Sequence, residues 1–210
     1  MNKFLLIIVA GLLVIGGAWL IKNNNKTQSD ENIKTYKNLG LGITFNYPKY
    51  LTASTTDGVI VLHHDIAFEN NGDCDMMGDE NTYPRLTDFK VTIQKINKNL
   101  VGTMKAVSPY IPQENFVNDE VVVSPGFIDA FEVGTLRGYA IYEGAEGCGQ
   151  TTYYFPIKSD ETLVINKASI QVLSGIVGKE KQDEVLAIPG VISKEKSEEI
   201  FISILKTLEI

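Results

Sequence analysis

The chain has 210 residues, with 19 Lys and Arg against 26 Asp and Glu, a formal net charge of −7 at pH 7. That sign argues against nucleic acid, whose binding proteins present basic faces, and against an electrostatic contact with an anionic membrane surface. The two cysteines and two histidines lack the close spacing at which a zinc site gathers three or four His/Cys ligands.

Phe4 to Ile21, FLLIIVAGLLVIGGAWLI, is 18 residues without a charge. As a helix it reaches ~27 Å at 1.5 Å per residue, close to the ~30 Å of a bilayer core. Lys3 and Lys22 bracket the run. It is longer than a signal-peptide core of about 7–15 residues, and no small-x-small cleavage pattern follows. Residues 1–22 therefore read as one N-terminal transmembrane anchor, with a cleaved signal peptide and a buried core helix as the alternatives. No cysteine follows the run, so a lipoprotein site is absent.

Lys3 and the amino terminus nearly balance Lys22 and Lys26 across the run, so charge alone does not orient it. A basic start before a long domain favours export, and a well-separated cysteine pair suits an oxidising compartment. The expected location is the cell membrane, single-pass through the Phe4 to Ile21 helix, with the domain on the extracytoplasmic side. Apart from Lys3 every charge lies after the run, 18 basic and 26 acidic, a net charge of −8.

Residues 23–38 are polar and Asn-rich, with Ile33 and Tyr36 the large apolar exceptions, and read as a flexible tether. Residues 39–210 form one domain. LGITFNYP alternates, with Ile43 and Phe45 on one face and Thr44 and Asn46 on the other, and Pro48 ends the strand. GVIVLHHD is a second strand. FKVTIQKI turns Phe89, Val91 and Ile93 inward and Lys90, Thr92 and Gln94 outward. NKNLVGTMKAVS has Leu100, Met104 and Val107 at helical spacing, with Gly102 weakening it.

EVVV and AFEV are short strand candidates. Arg137–Glu143, Thr151–Ile157 and Thr162–Asn166 read as a three-stranded meander, whose first turn is the glycine-rich GAEGCGQ. Pro156, lacking an N–H, belongs at a strand end or on an edge. LSGIVGKEKQDEVLAIPG reads equally as a loop or a short helix. The last element, SKEKSEEIFISILKTL, is an amphipathic helix capped by Ser193, with Ile200, Phe201, Ile204, Leu205 and Leu208 on its apolar side.

Two segments carry a resemblance. YKNLGLGITFNYPKYL offers Gly42, Phe45, Tyr47 and Pro48, and IFISILKTLEI offers Ile204, Leu205, Thr207, Leu208 and Ile210. They resemble the opening and closing stretches of PsbP/Mog1-like domains, with Leu208 where an aromatic is more usual. The chain is also similar to membrane-tethered bacterial proteins in which such a domain follows one hydrophobic helix. The resemblance implies an α+β fold, an antiparallel β-sheet sandwiched by helices. It implies no catalytic residues.

Cys148 sits in a hairpin loop beside Glu146, away from any helix start, which disfavours a reactive thiolate. With Cys74 in the polar loop NNGDCDMMGDEN, the favoured reading is a disulfide, Cys74 to Cys148. Two free thiols, or a thiol-dependent enzyme using Cys148 with a histidine, are the alternatives. Asp73, Asp75, Asp79 and Glu80 fall within eight residues around Gly78. Such a loop is either solvated or a calcium site, although its spacing departs from the EF-hand.

His63 and His64 are adjacent on a strand, so they point to opposite faces and do not share a metal. They read as a strand end near the surface, one of them able to pair with Asp65. The S-x-x-K string from Ser193 to Lys196 reads as a helix cap. The tyrosines of YAIY and TTYYF read mainly as core, with an exposed ligand face as the alternative. No phosphate loop, nucleophile elbow or HExxH helix occurs, and no cofactor is implied. The function expected is binding or scaffolding of a protein or small molecule without catalysis. A calcium-stabilised module and the thiol enzyme are its alternatives.

Overall fold

The computed structural model describes residues 32–72, 74 and 82–210. Eleven strands and three α-helices follow one another along these residues. The strands are β1 (Ile33–Asn38), β2 (Ile43–Pro48), β3 (Thr52–Thr56), β4 (Val59–Asn70), β5 (Tyr83–Ile96), β6 (Phe116–Val117), β7 (Glu120–Val121), β8 (Asp129–Val133), β9 (Leu136–Glu143), β10 (Gln150–Lys158) and β11 (Glu161–Ala168). The helices are α1 (Leu100–Val107), α2 (Lys179–Leu186) and α3 (Lys194–Lys206).

A seven-stranded sheet runs in the order β3-β4-β5-β11-β10-β9-β8, and every pairing in it is antiparallel. Two meanders, β3-β4-β5 and β8-β9-β10-β11, thus join where β11 lies beside β5. Alternation then sorts the side chains into two layers. Leu163 and Ile165 of β11, with Tyr153 and Phe155 of β10, enter a core with Ile200, Phe201, Ile204 and Leu205 of α3 and Phe45 of β2. Val164 and Tyr154, one residue out of phase, enter a second core with Val101 and Met104 of α1. The sheet is therefore sandwiched between α1 on one face and α3 with the β1-β2 hairpin on the other, an α+β architecture.

The two segments that carried the resemblance meet. Glu209 N–H donates to Thr44 O at 2.8 Å and Thr44 N–H to Glu209 O at 3.0 Å, while Asn46 N–H reaches Thr207 Oγ1 at 3.0 Å. Leu208 is buried with Phe45 in the same core. Tyr36 stacks on Phe45 against the same core, ring centroids 5.0 Å apart.

Several boundaries move. Ile33–Asn38, read as the end of a tether, is strand β1, because Tyr36 finds an aromatic partner and Asn38 accepts the Leu41 N–H at the turn. In EVVV the strand is reduced to Glu120 and Val121, with the Val122 N–H bond to Asn115 O at 2.8 Å continuing their register to β6. Pro156 lies within β10, where β9 has stopped pairing after Tyr154 and the register to β11 shifts. The undecided stretch contains α2, whose Val185 packs on Ile66, Leu86 and Leu173. Phe4 to Ile21 and residues 23–31 of the expected tether lie outside the described residues. Among the described residues no helix is long and apolar enough to cross a membrane.

Candidate functional site

A register line lays the floor of a cleft. Tyr142 of β9 faces Thr151 of β10, and Thr151 faces Lys167 of β11, so the three share one row on the α3 side of the sheet. Lys167 continues the inward parity of Leu163 and Ile165 but stands where the core opens. Its ammonium bonds Glu198 Oε1 of α3 at 2.6 Å and lies 6.0 Å from the Phe201 ring. The Lys167 side chain is 10 % exposed and that of Glu198 52 %. A cation so far removed from water persists only with a partner.

Above this floor stand Ile170, Leu173, Ser174 and Ile176 on one side and Ser197 and Lys194 on the other, enclosing about 340 Å³. Gly147 lines the same cleft. A Cβ there would sit 2.1 Å from Ser174 Oγ, so the loop closes against the 170–176 segment only as glycine. Next to it Cys148 is disulfide-bonded to Cys74, with Cα atoms 5.5 Å apart.

Asp88 borders the cleft from below. Between His64 and Asp65 the β4-β5 register shifts, which leaves Asp88 as the extra residue of a bulge, and bulges re-aim side chains. Its carboxylate accepts His64 Nδ1 at 2.7 Å and Ile192 N–H at 2.7 Å. Burial raises the Asp88 carboxyl above its ordinary value, and the bonds from Ile192 and His64 offset only part of that. Tyr50 closes the pair edge-on, 5.8 Å from the His64 ring.

On the opposite face Glu143 is a polar hub. Ser108 and Tyr110 donate to Glu143 Oε1, while Gln150 and Thr152 reach Oε2 at 3.1 and 3.3 Å. Burial works to raise this carboxyl, but the four donors together hold it below its ordinary value. The hub ties the end of α1 to β9 and β10. With its lone pairs taken by the protein, it is a structural clamp.

The sequence-level candidates fall out as follows. Cys74 and Cys148 form the disulfide, so the thiol-enzyme reading is overturned: a bonded sulfur has no thiolate to offer. His63 and His64 part company, His63 Nδ1 to Asp65 Oδ2 at 2.9 Å and His64 to Asp88. They lie in the middle of β4 rather than at its end, because β4 runs on to Asn70. Ser193 caps α3 by accepting Lys196 N–H at 3.2 Å. Tyr153 and Tyr154 are buried, whereas Tyr142 is half exposed.

Asp73, Asp75, Asp79 and Glu80 lie outside the described residues. Among the described residues no three His, Cys, Asp or Glu side chains gather as a metal site. Sequence reasoning missed Asp88, Lys167 and Glu198. For Lys167 the signal was available, a lysine at an inward parity.

No family model and no curated protein matches the chain. Its structure is similar to the solution structure of a cyanobacterial PsbP from Synechocystis sp. PCC 6803, with TM-score 0.40 and 9 % sequence identity over 88 % of this chain and 95 % of that one.

Proposed function

We propose that the chain is a PsbP/Mog1-like binding domain without catalysis, tethered by its N-terminal hydrophobic run to the extracytoplasmic side of a membrane, and that the cleft over Lys167 is its ligand site. The observation that carries the binding reading is the Lys167–Glu198 pair set at the base of a ligand-sized cavity. Ligand sites are concave, largely preformed and fitted with a few placed polar groups. Export is supported by the Cys74–Cys148 disulfide, a bond that persists in oxidising compartments.

The test uses the full chain in detergent micelles. Its melting temperature is measured against separate panels of amino acids, sugars, carboxylates and amines, for the wild type and for Ile176→Trp, which fills the cleft mouth. A panel member that raises the melting temperature of the wild type and not of the variant is expected. Absence of any such compound sinks the cleft as a ligand site. For location, proteinase K added outside intact expressing cells is expected to digest the domain. Full protection with the outer surface accessible to the protease contradicts the extracytoplasmic side.

A further inference from the structure

We infer that the cleft takes a small zwitterion with an apolar side chain, an amino acid or a short peptide, recognised head-to-tail by the Lys167–Glu198 pair; this rests on the cleft being a ligand site at all.

Three observations select this class. The first is charge. Lys167 gives one ammonium proton to Glu198 Oε1 at 2.6 Å, and Glu198 turns about half its side chain to solvent (52 %). Lys194 lines the same cavity, while the Asp88 carboxylate is buried against His64 and the Ile192 N–H. A lone anion entering here meets Glu198 as well as Lys167, and a lone cation meets both lysines. A ligand with both charges lays its carboxylate on Lys167 and its ammonium on Glu198, so each member of the pair gains a second partner. Charge-assisted hydrogen bonds of this kind are about twice as strong as neutral ones.

The second is the state of the hydroxyls. Tyr142 OH donates to Cys148 O at 2.8 Å, and Ser174 Oγ donates to Gln171 O at 2.7 Å while accepting Ile176 N–H at 3.2 Å. These two hydroxyls are committed to the protein, which leaves a sugar, a ligand read mainly through hydroxyl contacts, only Thr151, Ser169 and Ser197 of the lining to bond. The third is the wall. Ile170, Leu173 and Ile176 form an apolar side to the same cavity of about 340 Å³, room for an aliphatic side chain next to the charged end.

The test is isothermal titration of the full chain in micelles with four probes: L-leucine, 4-methylpentanoate, 3-methylbutylamine and D-glucose. L-leucine is expected to bind saturably, and the single-charge analogues at least ~10-fold more weakly. Glu198→Gln, at a half-exposed position, weakens leucine at least ~10-fold, while Glu199→Gln, which loses only the exposed pair with Lys196, leaves it unchanged. Lys167→Gln is the companion variant, its folding checked by far-ultraviolet dichroism. Equal binding of leucine and 4-methylpentanoate, or binding of glucose alone, overturns the zwitterion while the cleft stands as a binding site. Leucine binding indifferent to both Glu198→Gln and Ile176→Trp overturns it by placing the ligand elsewhere. No binding by any probe, with a hit from another panel lost in Ile176→Trp, overturns the ligand class alone; no hit in any panel overturns the cleft too.

Discussion

Ile192 N–H donates to Asp88 Oδ2 at 2.7 Å across 104 residues of chain, and the same carboxylate holds His64 through its other oxygen. The bond fixes the backbone just before the Ser193 cap, so it sets where α3 begins and how Ser197 and Glu198 meet the cleft. Asp88→Ala leaves a buried N–H without an acceptor and is expected to cost about 1–3 kcal/mol in urea unfolding. A wild-type midpoint would show that the bond holds nothing.

The sign of the pH dependence follows from the raised Asp88 carboxyl. A group whose folded value exceeds its unfolded one contributes stability in full below the unfolded value and loses it as pH rises through the folded value. The stability advantage of wild type over Asp88→Asn is therefore expected to shrink as pH rises from about 4. Unfolding free energies for both proteins at stepped pH check this. An advantage that grows with pH contradicts it.

Glu143 runs the other way. Its carboxyl is held low by Ser108, Tyr110, Gln150 and Thr152 against the pull of burial, so its contribution is present above the unfolded carboxylate value and lost as pH falls through the folded one. Glu143→Gln is expected to remove stability at pH 7 and far less at pH 3. Its neighbour Tyr110 is pushed up to about 12 by burial and by Glu143, and Tyr153 to about 12 by burial and Glu198. Stability from these phenols declines between about pH 10, their unfolded value, and about 12. Tyr110→Phe is expected to make that alkaline limb shallower.

What the sequence made legible was what alternation and spacing encode. Phe89, Val91 and Ile93 point into the core as their parity requires, and Ile200, Phe201, Ile204 and Leu205 bury the predicted side of α3. The cysteine pair followed from placement in two polar loops of one domain. The site was less legible because it depends on departures from regularity. The bulge that frees Asp88 is a difference in length between two strands, and no single strand displays it. Glu198 looks like any exposed charge on α3 until Lys167 comes up beneath it from a strand 31 residues earlier. Tyr36 read as tether because its partner, Phe45, lies across a turn.

Gly138 tests how tightly β9 and β10 approach where their pairing ends. A Cβ at this position would lie 1.9 Å from Tyr154 O and 2.9 Å from Phe155 Cδ1. Neither yields readily, since one is backbone and the other a buried ring. Gly138→Ala is expected to destabilise the domain by about 1–3 kcal/mol, as overpacking does. By contrast Gly178→Ala, with open space around it, stays within about 0.5 kcal/mol. Equal midpoints for the two variants would mean that the strands separate freely.

The Cys74–Cys148 bridge closes a loop with a sequence separation of 74, containing the whole of β5, α1 and β6 to β9. Chain entropy assigns such a closure roughly 4 kcal/mol, and at about 2–4 °C per kcal/mol for a domain of this size the double serine variant melts roughly 10 °C lower. Cys148 also anchors the loop whose Gly147 packs on Ser174 at the cleft, so the variant is expected to lose ligand affinity along with stability. Intact mass after alkylation settles the premise: monomeric native protein takes up no label until it is reduced. If both cysteines label without reductant, the bridge does not form. The cleft loop is then held by non-covalent contacts, among them the bonds from Tyr142 to Cys148 O, from Gln171 to Glu146 O and from Ser169 N–H to Gly149 O, and the support for an oxidising compartment falls with the bridge.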